Sequence, residues 1–408
     1  MTNRPHSRIV LSAAVLSLGM LIPSCATAPS APNATTPTAL PAATATHAPT
    51  PTSTPRPIRP PLVEDPLPAD VAAKLQAVLD ERVRERTDEP SVSAAVVVPG
   101  EGIWSGAAGL AATGDQVLAT TETAYAIGSV TKTFVAGLTL LLARDGAIAL
   151  DDPAANWLEG VAADKSNGAT IRQLLSHRSG IDEHVDELGQ QLAQPHRWTP
   201  TELLQLVDEP HFAPGERFEY SNTNYTLLGL IAERAGEAPL EEQLRDRIFE
   251  PFGLNRTFLS GREQVTPPLA HGYGRLSELT GDLYDGSGYL PFETLATAAW
   301  AGGAIASTPR DVARWLYQLC TGVALGEDYT AQMVAVDPPY DYGLGVELPV
   351  IPGIGPAIGH VGQIPGYLAL AFYLVDTGTV VVVVTNTDMD PEDLGLVLVE
   401  LYEIISRA

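Results

Sequence analysis

The sequence predicts an α+β fold: an α/β sandwich with one antiparallel sheet, built from both chain ends and flanked by helices, plus a mainly helical insertion. Three observations carry this. Ser91–Val98 and Gly102–Ala108 read as strands around a Pro99-Gly100 turn. Tyr367–Val375 and Thr379–Thr385, separated by Asp376-Thr377-Gly378, read as a hairpin near the other end. The long stretch between the two pairs carries helical patterns.

Taken in order, the first element is a helix over Ala69–Thr87, with Val71, Leu75, Val78 and Leu79 at helical spacing. A second helix starts near Ser129 and runs to Arg144, with Gly146 as its stop. Phe134, Leu138, Leu141 and Leu142 form its stripe, and Val130, Val135 and Leu140 make it apolar nearly all round. Such a helix is buried. A third runs from Thr223 to Ala235 after the turn at Pro214-Gly215, and a last one from Pro391 to Ile405.

The N-terminal region has another character. Arg4 and Arg8 precede a 14-residue apolar run, Ile9 to Ile22, which is short for a membrane span and reads as an export signal. Cys25 follows Leu21-Ile22-Pro23-Ser24, and this looks like a bacterial lipoprotein signal whose cysteine is acylated. Pro23 departs from that pattern, so an ordinary secretory signal cleaved nearby stays as the alternative. Of the 41 residues from 26 to 66, 29 are Pro, Thr or Ala with no apolar period. Such a segment cannot offset its ordering entropy and reads as a disordered tether. The folded domain is expected over residues 67–408. The location implied is extracytoplasmic: lipid-anchored at the outer face of the bacterial membrane, otherwise secreted.

The composition excludes some partners. With 24 cations and 49 anions the net charge is −25, so a basic nucleic-acid-binding face is not expected, and membrane contact is expected only through a lipid anchor. Cys320 is the sole cysteine besides Cys25, so the folded part has no internal disulfide; a buried helix position is expected for it. The histidines, His177 among them, show no ligand spacing such as His-Glu-x-x-His, so no metal or other cofactor is assigned.

Only three of the cations are lysines, and one stands at Ser129-Val130-Thr131-Lys132. Buried lysine can lose its proton and arginine cannot, so the spacing seeds a serine-nucleophile site. Residues i and i+3 share a helix face, which points Ser129 and Lys132 at one place. Two further motifs follow in order: Tyr220-Ser221-Asn222, then His360-Val361-Gly362.

With these three motifs the chain resembles the serine β-lactamase and D-Ala-D-Ala carboxypeptidase superfamily, in its class C-like branch, over residues 67–408. Thr170 to His177, Gly302 to Thr308 and Gly343-Leu344-Gly345 fit as well. The resemblance implies a β-lactamase/transpeptidase-like fold and a Ser129 acyl-enzyme. Lys132 would be the base, its pKa lowered by desolvation and a neighbouring cation. Tyr220 would carry a proton to the leaving group, tuned by Lys132 and His360. Asn222, His360, Gly362 and Gln363 would bind substrate, with the backbone N–H groups of Ser129 and Gln363 as oxyanion hole. No Gly-x-Ser-x-Gly elbow competes with this reading.

The third motif departs from the family. Lys-Thr-Gly is usual in β-lactamases of this branch, and His360 is similar to what carboxypeptidase and esterase members show. Val361 replaces a hydroxyl that helps bind the substrate carboxylate. The expected substrate is therefore a small acyl compound or peptide, of peptidoglycan type among them, handled by a DD-peptidase-like or esterase-like hydrolase. A β-lactamase proper and a non-catalytic peptidoglycan-binding module are the alternatives. The pocket walls are expected from residues 181–200 and 260–300.

Overall fold

Strand β1 (Ser91–Val98) is buried along its whole length, as are β9 (Tyr367–Leu374) and β10 (Val380–Thr385). Alternate residues serve two cores. Val92, Ala94 and Val96 of β1 pack with Leu75, Leu79, Leu394 and Leu398, while Ala95 and Val97 face the larger core of the central helices. Helices on both faces explain why these strands read as unbroken apolar runs.

These strands come from a computed structural model, which describes residues 60–86, 88–188, 191–192, 194–266, 269–274, 291–388 and 391–408. The export signal, Cys25 and the tether as far as residue 59 lie outside the described residues, as do residues 189–190, 193, 267–268 and 275–290 of the two expected pocket-wall loops. The chain divides into Met1–Pro57 and Ile58–Ala408, and only the second unit holds described residues.

The main sheet has seven strands in the order β3-β2-β1-β10-β9-β8-β7. Here β2 is Gly102–Ala112, β3 Val117–Leu118, β7 Val350–Ile351 and β8 Gly355–Ile364. All its pairings are antiparallel, with Val96 opposite Val381 and His360 opposite Ala371. Both chain ends therefore meet at the sheet centre, as the sequence predicts. Helices α1 (Ala69–Glu85) and α6 (Pro391–Ser406) cover one face. The other face meets α5 (Pro309–Cys320), which buries Cys320, and beyond it α2 (Thr131–Arg144), α3 (Thr223–Gly236) and α4 (Pro291–Gly303). A small sheet of β4 (Tyr125–Ala126), β5 (Phe258–Leu259) and β6 (Ile305–Ser307) leads into α2.

Two boundaries differ from expectation. Residues 60–66, assigned above to the tether, make contacts with the fold: Tyr317 Oη donates to Pro60 O at 2.6 Å, and Glu64 pairs with Arg310 and Arg314. The second helix begins at Thr131 rather than Ser129, because Gly128 takes φ +50° and Gly128–Val130 form a 3₁₀ turn first. That turn is what presents Ser129.

Candidate active site

Helix α2 is held rigidly from below. All its residues from Thr131 to Ala143 are buried, Trp315 stacks on Phe134 with ring centroids 5.0 Å apart, and its indole N–H donates to Thr133. Thr131 Oγ1 accepts from Ile305 N at 3.0 Å, tying the helix start to β6. Ser129, just ahead, is only partly buried and so can be reached by substrate.

Two glycines let the turn and the sheet edge approach. A Cβ on Gly362 would run into Ile127 O, and one on Gly128 would sit 2.7 Å from Gln363 N. Gly359 N and O bond Glu347, and Val361 N faces the Glu347 carboxyl, so odd-numbered amides of β8 point away from β9. Alternation in the ladder then aims Gln363 N–H at the same open edge, beside Gly128.

The structure brings Ser129, Lys132, Tyr220 and Asn222 together. Lys132 is fully buried, and its Nζ lies 3.1 Å from Ser129 Oγ, 2.7 Å from Asn222 Oδ1 and 2.7 Å from Gly302 O. Tyr220 Oη donates to Ser129 Oγ from 2.9 Å. Burial pushes the Lys132 ammonium down to about 7, while Glu183 and Glu347 pull the other way. The neighbouring cation expected from the sequence is thus replaced by two carboxyls, and desolvation alone does the lowering.

Tyr220 is kept a phenol. Desolvation raises its pKa well above the ordinary range, and the bond to Ser129 only partly offsets this. Tuning by His360 is not what the structure shows, since burial pushes that imidazole down to about 3 and leaves it neutral. His360 Nδ1 lies 2.5 Å from Val361 O, which can only accept, so Nδ1 carries the proton and Nε2 accepts from Tyr342 Oη at 3.1 Å. Both ring nitrogens therefore bond within the fold, and the His360 side chain is fully buried. Val361 turns partly toward the α1/α6 core.

Three residues that the sequence reading did not place complete the surroundings. His177, at φ +53°, stacks on Tyr220 with centroids 4.2 Å apart, and its Nδ1 accepts from Ser221 N and Asn224 Nδ2 at 3.2 Å each. Glu183 Oε2 accepts from Asn222 N at 2.6 Å and Asn222 Nδ2 at 2.8 Å. Glu347 Oε2 accepts from Val361 N at 3.3 Å, its Oε1 stands 3.2 Å from His360 Nδ1, and burial pushes its carboxyl up to about 8. The one sequence signal for Glu347 is an isolated acid in the apolar run Gly343 to Val350. Among the described residues no group of three His, Cys, Asp or Glu is placed to hold a metal.

The arrangement can support acyl transfer: a reachable hydroxyl, a buried amine of lowered pKa and a neutral phenol meet at one oxygen. Comparison with known proteins agrees. The family model described as Beta-lactamase matches residues 79–398. Penicillin-binding protein 4* of Bacillus subtilis is 26% identical over 289 residues, covering 67% of this chain and 62% of its own. A beta-lactamase of Pseudomonas fluorescens is 27% identical over 212 residues, covering 50% and 56%. The chain thus spans less than two thirds of the length of these curated relatives. Among solved structures, a D-amino acid amidase from Ochrobactrum anthropi SV3, complexed with D-phenylalanine, has a TM-score of 0.71 at 27% identity, covering 83% of this chain and 100% of its own. A D-stereospecific amidohydrolase from Streptomyces sp. has a TM-score of 0.67 at 29% identity, covering 81% and 98%.

Proposed function

Because the chain belongs to the Beta-lactamase family of serine hydrolases, we propose that it hydrolyses amide or ester bonds of D-aminoacyl, short-peptide or small acyl substrates through an acyl-enzyme on Ser129. One observation carries this reading: Ser129 Oγ sits between Lys132 Nζ at 3.1 Å and Tyr220 Oη at 2.9 Å. Lys132, neutral in an appreciable fraction near pH 7, takes the hydroxyl proton as Oγ attacks the carbonyl carbon. The carbonyl oxygen gains the negative charge and is met by the N–H groups of Ser129 and Gln363. Tyr220 then gives its hydroxyl proton to the leaving group and regains one from the Lys132 ammonium beside it, and water attacks the acyl-enzyme by the reverse path. Asn222 holds Lys132, Gly362 admits the close approach at the edge of β8, and His360 supports Tyr342 behind the site.

Several features favour a substrate without a carboxylate beside the scissile bond. Val361 has no hydroxyl, its N–H is turned to Glu347, and His360 is neutral. The D-amino acid amidase and D-stereospecific amidohydrolase neighbours support the same class. The export signal and tether read in residues 1–59 support a place outside the cytoplasm, lipid-anchored through Cys25 if that residue is acylated. The test is a rate comparison on a p-nitrophenyl ester, D-phenylalanine amide, a D-Ala-D-Ala peptide and nitrocefin, with Ser129→Ala as control. Ester and amide should exceed nitrocefin, and Ser129→Ala should abolish all four. Tight binding of a peptidoglycan fragment with no turnover of any substrate would instead make this a binding module.

A further inference from the structure

Resting on the reading of Ser129 as nucleophile and Lys132 as base, we infer that Glu183 is a positioning residue: it locks the Asn222 amide with its oxygen toward Lys132, and so reserves the lysine lone pair for Ser129. A neutral Lys132 has two N–H groups and one lone pair for three neighbours. Gly302 O can only accept, and it takes one N–H at 2.7 Å. Asn222 Oδ1 takes the second at 2.7 Å. The lone pair is left facing Ser129 Oγ at 3.1 Å.

This arrangement fails if the Asn222 amide turns over. Its NH₂ would then donate into the lone pair and quench the base. Lys132 cannot itself prevent this, because a neutral amine both donates and accepts. Glu183 can. Its Oε2 accepts from Asn222 Nδ2 and Asn222 N together, and an oxygen that accepts both bonds has nothing to give back to an amide oxygen. Turning the amide over would lose a charge-assisted bond and set two oxygens against each other. Glu183 is in turn fixed through Oε1, which accepts from Val185 N at 2.9 Å and lies 3.5 Å from His184 Nδ1. The charged and titratable groups around Lys132 are Glu183, Glu347, Tyr220, Tyr225, His177, His184 and His360. Of the two carboxyls, only Glu183 touches Asn222.

Charge and geometry can be separated by substitution. Glu183→Gln keeps one oxygen for both Asn222 bonds and removes the charge that favours the lysine ammonium. It should hold kcat on a p-nitrophenyl ester within about threefold, and move the acid limb of kcat/KM to lower pH. Glu183→Leu removes the lock and should lower kcat by roughly tenfold or more with little change in KM. In an Asn222→Ala background, Glu183→Leu should cost nothing further in the rate of fluorophosphonate labelling of Ser129, because the two residues act as one unit. Wild-type kcat in Glu183→Leu, or losses that multiply in the double variant, would overturn the inference. Turnover that survives Ser129→Ala would instead remove the reading on which it rests.

Discussion

Lys132 Nζ lies 3.1 Å from Ser129 Oγ, and its two other neighbours, Asn222 Oδ1 and Gly302 O, are acceptors at 2.7 Å. A lysine so enclosed is satisfied when charged and correctly aimed when neutral. Burial decides how often it is neutral, by pushing the ammonium down to about 7.

The acid limb of activity should report that lysine. Below about pH 7 Lys132 is an ammonium and cannot accept the serine proton, so kcat/KM should fall tenfold per pH unit on that side. Lys132→Arg keeps a cation that does not deprotonate, and should lose about a hundredfold or more at every pH. A pH–rate profile of both proteins checks this; an unchanged acid limb in Lys132→Arg would remove the lysine from the base role.

Tyr220 should matter to rate more than to stability. Its ring is held by the His177 stack, and its hydroxyl bonds Ser129 Oγ. Tyr220→Phe keeps the ring and should lower kcat about a hundredfold while leaving Tm nearly unchanged. Steady-state kinetics beside thermal melts would separate the two effects.

Most of the sheet was legible because its strands are apolar on both faces. Ser91–Val98 was expected with the bounds found, and the hairpin pair differs only at its ends. The Gly109–Ala112 end of β2 was missed, since small residues carry little strand signal. Ser129, Lys132, Tyr220 and Asn222 were legible as motifs at fixed spacings. Glu183 and Glu347 were not. An acidic residue in a sequence most often lies in solvent, and only the fold turns these two toward Lys132. The neighbouring cation expected for Lys132 gave way for the same reason.

The contact between Gly362 and Ile127 O should be intolerant of a methyl group. Gly362→Ala must part β8 from the turn at Gly128, moving Gln363 N–H away from Ser129. A loss of about 1–3 kcal/mol in stability is expected. Activity should fall in the protein that still folds. Denaturant melts with kinetics on the folded fraction test this; wild-type values in both would contradict the packing described.

Glu347 should make substrate choice pH-dependent. Its carboxyl, pushed up to about 8, is neutral below that pH and charged above it, next to Val361 N–H on the outer edge of β8. Rates on a carboxylate-bearing D-Ala-D-Ala peptide, relative to its C-terminal amide, should therefore decline as pH rises through about 8. Glu347→Gln should abolish that trend.

The acyl bond at Ser129 is the step on which the proposed hydrolysis depends. Intact-protein mass spectrometry after brief incubation with a slowly deacylating substrate, followed by peptide mapping, tests it most directly. One acyl adduct is expected, on the peptide containing Ser129, that disappears in Ser129→Ala and forms more slowly in Lys132→Arg. An adduct on another residue, or one that persists in Ser129→Ala, would contradict it.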